Sequence, residues 1–261
     1  HTVGDSRQAA VAVSAANARP ARPATAPNPA EETMFETIET LSRERHKDLR
    51  FTQRRDRSYA RDLQSAPLAV SEVFDAARCF PVVFPPEGVL PHAILGWQPD
   101  RNVFVDDDGA WRADYVPAHV RRYPFILQQT GGTETFNLAI DPQARHFWAV
   151  DGEALFDAEG EIGPVVQRAR DFLTTYQQEI QQTERLFRAV QDAGVLVERE
   201  LKATGGDGQE RRLKGFRCVD EGKLRALDDA TFLGWRDNGV LGALYACLLS
   251  LRNAHRLVDA G

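Results

Sequence analysis

Residues 111–125 read WRADYVPAHVRRYPF, and the class of fold turns on how this stretch is read. It gathers Trp111, Tyr115, Tyr123 and Phe125 with Arg112, Arg121 and Arg122. Pro117 and Pro124 prevent a continuous helix or a central strand, because proline donates no backbone hydrogen bond. Each also pushes the residue before it, Val116 or Tyr123, toward an extended conformation. Between the prolines, AHVRRY has room for about one and a half helical turns opening on a proline. Such a stretch suits a fold of short pieces, with two adjacent arginines leaving a brief turn beside an aromatic wall.

The flanks agree. Upstream, Leu68 and Val70 alternate as in a strand, SEVFDAARCF predicts a helix with Ser71 as its cap, and PVVF at 81–84 is a short buried run. Residues 94–97 and 102–105 predict short strands around a Pro99-Asp100 turn, and Asp107-Asp108-Gly109 predicts a second turn. Downstream, residues 125–128 and 135–140 predict a hairpin about TGGT, and residues 147–150 a further strand. From Phe35 to Arg61 apolar residues are sparse, which predicts a short element followed by an extended arm through HKDLRFT.

Beyond Phe156 the period changes. Pro164 opens a long segment in which Ala169, Phe172, Leu173, Tyr176, Ile180, Phe187 and Val190 recur at helical spacing, with Gly194 as its stop. Val195, Val197 and Leu201 alternate, GGDG at 205–208 turns the chain, and residues 211–219 return. Residues 223–227, 231–235 and 239–257 predict helices. Strands and helices are segregated, so the class is α+β, a strand-rich N-terminal half packed with a helix-rich C-terminal half. Residues 34–261 form one such domain, and the Ala/Pro-rich residues 1–33, poor in large apolar side chains, predict a disordered tail.

The chain has 261 residues and a formal net charge of -6, which argues against a general nucleic-acid binder. Local basic patches remain at Arg121 and Arg122 and at Arg43, Arg45 and Lys47. The three cysteines, Cys79, Cys218 and Cys247, are widely spaced and read as reduced, buried thiols. The longest apolar run, residues 240–251, is shorter than a membrane span, and no secretory signal is visible, so a cytoplasmic location is expected.

A search for chemistry finds little. None of the six histidines stands at metal-ligand spacing, and Asp106-Asp107-Asp108-Gly109 lacks the alternating oxygens of a calcium loop. The paired glycines lack the strand-to-helix setting of a phosphate loop, and no cofactor is expected. Two stretches keep a functional reading. In HKDLR, an extended chain would put His46, Asp48 and Arg50 on one face, for acid/base work or as a salt-bridged lid. Arg121 and Arg122 could grip a carboxylate or phosphate, or could form an internal ion pair with cation–π stacking.

HKDLR at 46–50, FPVVF at 80–84, W-x-x-x-YVP at 111–117, RRYPF at 121–125 and GEALFD at 152–157 resemble, in this order, the blocks of the SapC family. So do GF at 215–216, VDEGKLRAL at 219–227 and SLRN at 250–253. The resemblance runs from about Met34 to Leu257. It implies accessory work at bacterial surface layers or beside TonB-dependent uptake systems, and it supplies no catalytic residues.

The expectation is a soluble accessory or binding protein that recognises a protein, a peptide or a small anionic ligand. Arg50, Trp111, Tyr115, Arg121, Arg122 and Tyr123 would form the binding surface. The alternative is an enzyme acting on a peptide or amino-acid-derived substrate through His46, Asp48 and arginines. A third option is a structural subunit with an exposed apolar helix stripe. No nucleic acid, no metal and no integral membrane segment enter any of these.

Overall fold

Prolines and Asp-Gly turns cut the first half of the chain into short strands. The computed structural model describes residues 12–14, 34–129, 136–206 and 208–259. Of the tail, only Ala12–Ser14 is described, as a short strand (β1), so the expectation of disorder for residues 1–33 otherwise lies outside the described residues. Three small antiparallel sheets follow. One orders β2 (Glu39–Thr40), β8 (Phe136–Ile140) and β7 (Phe125–Gln129), a second pairs β3 (Arg50–Phe51) with β9 (Glu153–Ala154), and a third orders β4 (Ser65–Pro67), β6 (His92–Ile94) and β5 (Val82–Val83). The predicted hairpin is β7–β8, in register from Phe125 opposite Ile140 to Gln129 opposite Phe136. Its TGGT turn lies outside the described residues.

Three helices interrupt the strands: α1 (Arg43–His46), α2 (Val73–Cys79) and α3 (Ala118–Arg121). Ser71 does not cap α2. A 3-10 turn over Val70–Glu72 precedes the helix, and the Ser71 hydroxyl reaches Glu179 instead, at 3.1 Å. Nor do residues 147–150 form a strand. A 3-10 turn at Arg145–Phe147 leads into a loop whose Trp148 and Val150 face solvent, and pairing resumes only at β9. Residues 102–105 pair only locally, Val103 N–H donating to Leu95 at 2.9 Å and Val105 bridging Trp111.

The second half is longer-ranged in its periodicity. Helix α4 (Pro164–Asp192) opens on its proline and buries Val165, Val166, Leu173, Tyr176, Phe187 and Val190 on one stripe. Gly194, at φ 67°, ends it as predicted. Strands β10 (Leu196–Thr204) and β11 (Glu210–Val219) form an antiparallel hairpin with β1 on its outer edge. Helices α5 (Glu221–Arg225), α6 (Asp229–Asp237), α7 (Val240–Ser250) and α8 (Arg256–Asp259) complete the chain.

The final helix predicted over 239–257 is broken by a 3-10 turn at Leu251–His255. Side-chain hydrogen bonds explain the break. Ser250 Oγ donates to Cys247 O at 2.6 Å and accepts Val82 N–H at 2.8 Å. Asn253 Nδ2 donates to Ala77 O at 2.7 Å. Short polar side chains that bond backbone in this way compete with a regular helix.

One hydrophobic cluster takes in both halves, from Met34 to Val258. Phe84 and Phe187 meet at 5.5 Å within it, and all three cysteines are buried and unpaired. The fold is α+β, as the segregation of strands and helices predicts.

Candidate functional site

The central stretch is set by a carboxylate that sequence reasoning missed. Glu72 is buried, and its Oε1 accepts the Tyr115 hydroxyl at 2.6 Å and the Ala118 N–H at 2.7 Å. Its Oε2 accepts Ala69 N–H at 3.0 Å. An acid at the first N–H of α3 satisfies a donor that the helix itself cannot, and Pro117 just before it starts the turn. Trp111 Nε1 donates to Tyr115 O at 2.8 Å, so the W-x-x-x-Y spacing closes a loop on itself. Burial, with Glu72 beside it, holds the Tyr115 phenol far above its ordinary range. Trp111 and Tyr115 therefore spend their polar atoms inside the fold.

A second carboxylate organises the end of the stretch. Asp141, fully buried, accepts Tyr123 OH at 3.1 Å, Glu36 N–H at 2.9 Å and Gln143 N–H at 3.0 Å. Tyr123 stacks on Tyr59 at 4.0 Å and lies 5.1 Å from Phe35, and the Tyr123–Pro124 peptide is cis. Burial, then Asp141, raises the Tyr123 phenol as well.

The two arginines part company. Arg122 is buried, its guanidinium 5.8 Å from the Phe35 ring. Arg121 is exposed. Its Nε donates to Val116 O at 3.0 Å, and its guanidinium lies 5.4 Å from the Phe172 ring.

Beside Arg121 a cleft of about 280 Å³ opens between α4, the end of α3 and strands β3, β7 and β9. Helix α4 supplies Val165, Arg168, Ala169, Phe172 and Leu173, spaced by three and four so that they share one face. Phe51, Phe125 and Tyr123 close the aromatic side, and Arg121, Arg122, Gln53 and Glu153 supply polarity. Arg168 forks Glu153 at 2.6 and 2.7 Å across the cleft, but both are more than half exposed, so the pair contributes little and can exchange partners. On the open side of the cleft Arg121 and Arg168 face the single carboxylate of Glu153.

Of the expected surface, then, Arg121, Arg122 and Tyr123 line this cleft, and Arg50, Trp111 and Tyr115 do not. Arg50 instead donates to Gly152 O at 3.3 Å along β3–β9. HKDLR is not an extended arm. His46 ends the one-turn helix α1 and is buried, with Nδ1 accepting Ser42 N–H at 3.0 Å and Nε2 lying 3.4 Å from Glu39. Asp48 faces solvent, so the single face expected for His46, Asp48 and Arg50 does not form, and neither His46 nor Asp48 lines the cleft. Among the described residues no three His, Cys, Asp or Glu side chains are grouped as metal ligands.

Sequence reasoning missed Glu72, Asp141, Glu153 and the α4 wall. Only the wall left a signal. Arg168 and Phe172 sit four apart on a helix whose apolar stripe was legible, which brings a cation beside an aromatic ring.

An α+β fold with an arginine-rimmed, aromatic-lined cleft thus defines the class of protein. The chain belongs to the SapC family, whose model matches residues 41–257. No curated protein and no solved structure matches it significantly. The family blocks map mainly onto joints of the fold. Ser250 and Asn253 of SLRN tie α7 and the turn after it to the FPVVF block, and Asp220 of VDEGKLRAL caps α5 by accepting Lys223 N–H at 3.0 Å.

Proposed function

We propose that the chain is a binding protein whose cleft takes a small carboxylate with an apolar body, free or as the end of a peptide. The observation that carries this reading is the exposed Arg121 guanidinium over Phe172, at the edge of a wall built from Phe51, Phe125, Val165 and Leu173. A guanidinium matches a carboxylate with two parallel hydrogen bonds, and the apolar wall receives the rest of the ligand. The cleft volume is at the small end of ligand sites. Work as an accessory to a bacterial cell-surface or TonB-dependent uptake system is the wider role we assign, and it rests on family membership. The enzyme reading has no observation in its favour, since His46 is engaged by Ser42 and Glu39 outside the cleft.

Titration calorimetry with N-acetylphenylalanine and with its amide tests the reading. The acid binds and the amide binds at least about tenfold more weakly, because only the acid offers Arg121 a charge. Arg121→Ala abolishes that preference and leaves the melting temperature near that of the parent. Arg122→Ala lowers the melting temperature instead. Equal binding of acid and amide, or a preference untouched by Arg121→Ala, removes the reading.

A further inference from the structure

One segment runs against the charge of the whole. Residues 43–57, RERHKDLRFTQRRDR, carry seven basic and three acidic side chains, a local +4 in a chain of net charge -6. This segment is laced to the 3-10 turn at Arg145–Phe147 and to the loop that follows it. Thr52 N–H donates to His146 O at 2.8 Å, Arg50 Nη1 to Gly152 O at 3.3 Å, and Arg145 pairs with Asp56 at 3.4 Å. Gly152 lies so close to Phe51 and Thr52 that a Cβ there would stand 2.6 Å from Phe51 O, so the two strands of chain are pressed together.

At the tip of this loop Trp148 is 65% and Val150 89% exposed, the highest values among the large apolar residues that face solvent apart from Leu249. The Arg145 guanidinium lies 5.6 Å from the Trp148 ring. Arg55 is exposed, and neither it nor Arg54 forms an ion pair among the described residues. Asp56 is taken by Arg145 and Glu153 by Arg168, which leaves Asp151 as the one loop carboxylate outside such a pair among the described residues. An apolar tip with the Arg145 guanidinium against its tryptophan, tied to a segment whose Arg54 and Arg55 form no ion pair among the described residues, matches a surface that is greasy inside and anionic at its edge. Tryptophan favours the headgroup boundary of a bilayer, and arginines near an anionic leaflet are each attracted by about 1 kcal/mol.

We propose that this face docks the protein peripherally on an anionic lipid surface, with Trp148 and Val150 at the acyl boundary and Arg54, Arg55 and Arg145 at headgroup level. No helix of the described residues is long and apolar enough to cross a membrane, so the contact is one of surface attachment. It is independent of the ligand assigned to the cleft.

Flotation of the full chain with vesicles tests this. Phosphatidylcholine vesicles containing phosphatidylglycerol should carry at least about tenfold more protein than phosphatidylcholine alone, and added salt should reverse the difference. Trp148 is the most exposed of four tryptophans, since Trp97 and Trp235 are buried and Trp111 is half-buried. Its emission should shift to the blue on binding and be quenched by brominated acyl chains, and Trp148→Ala should remove that quenching. Arg55→Gln and Val150→Asp change exposed side chains and should each weaken flotation several-fold without moving the melting temperature. Equal flotation on both vesicles, binding without quenching of Trp148, or release by glycerol phosphate as effective as salt-free competition by lipid overturns the proposal. The last outcome would assign the arginines to a free phosphate, and unquenched binding would assign them to an acidic protein.

Discussion

Among the described residues up to Ala154 no strand exceeds five residues, whereas the second half holds a 29-residue helix and a hairpin of nine- and ten-residue strands. The short-stranded half is fastened by buried carboxylates. Glu72 and Asp141 each accept three hydrogen bonds, one from a near neighbour and two from residues 18 to 105 positions away. The long-stranded half is fastened by apolar stripes, as on α4 and α7. A pattern repeated along one element survives the loss of a member, because its neighbours still exclude water. A single acceptor shared by three donors does not, since its removal strands them all.

The sharpest way to break this contrast is Glu72→Ala, which leaves two backbone N–H groups and a phenol without their acceptor. Each orphaned buried donor costs about 1–3 kcal/mol, so a loss of about 5 kcal/mol is expected in denaturant unfolding. Glu72→Gln, which keeps one acceptor oxygen, should recover about half. Phe187→Ala comes next, at about 4 kcal/mol from the cavity it opens against Phe84. Phe187→Leu should recover most of that, because an apolar stripe tolerates a change of shape. If Gln at 72 restores nothing, or Leu at 187 restores nothing, the two halves do not differ in the way described.

A smaller effect follows from pH. Burial, with Arg57 and Arg54 beside it, lowers His146 to about 4. Between its ordinary value near 6.5 and about 4 the unfolded chain therefore takes up a proton that the folded chain refuses. The share of stability that His146 contributes is undiminished above that window and falls as pH drops through it, by at most about 3 kcal/mol. Burial lowers His92 to about 4 as well, so His146→Gln should remove about half of the slope in that window, and a slope equal to that of the parent would place the titration at His92 alone. Smallest of all is Gln181→Ala on the solvated face of α4, worth about 0.4 kcal/mol of added stability through helix propensity.

The same contrast explains what could be read from the sequence. Helix α4, the β10–β11 hairpin and the stop at Gly194 were legible because periodicity repeats its message over many residues. The one-turn helix α3 was legible because Pro117 and Pro124 bracket it. Strand β9 and the one-turn helix α1 were not, since two to four residues carry no period and are decided by partners such as Gly152 and Glu39. For the cleft, Arg121, Arg122 and Tyr123 were visible as an arginine–aromatic cluster. That Arg122 turns inward and Arg121 outward depends on what Phe35 and Phe172 present to them, which no local pattern encodes. Glu72 and Asp141 resemble any surface acid until the fold closes around them.

The tie between Ser250 and Val82 spans 168 residues, and that between Asn253 and Ala77 spans 176. During synthesis, residues 77–84 leave the ribosome long before their partners are made, and on vectorial emergence the FPVVF block has to wait with its apolar side chains uncovered. Contacts of such separation slow folding and lengthen the exposure of sticky intermediates. A chain that stops before Ser250 would therefore hold its first half open, a natural substrate for holding chaperones and proteases, even though most of its residues would already be present.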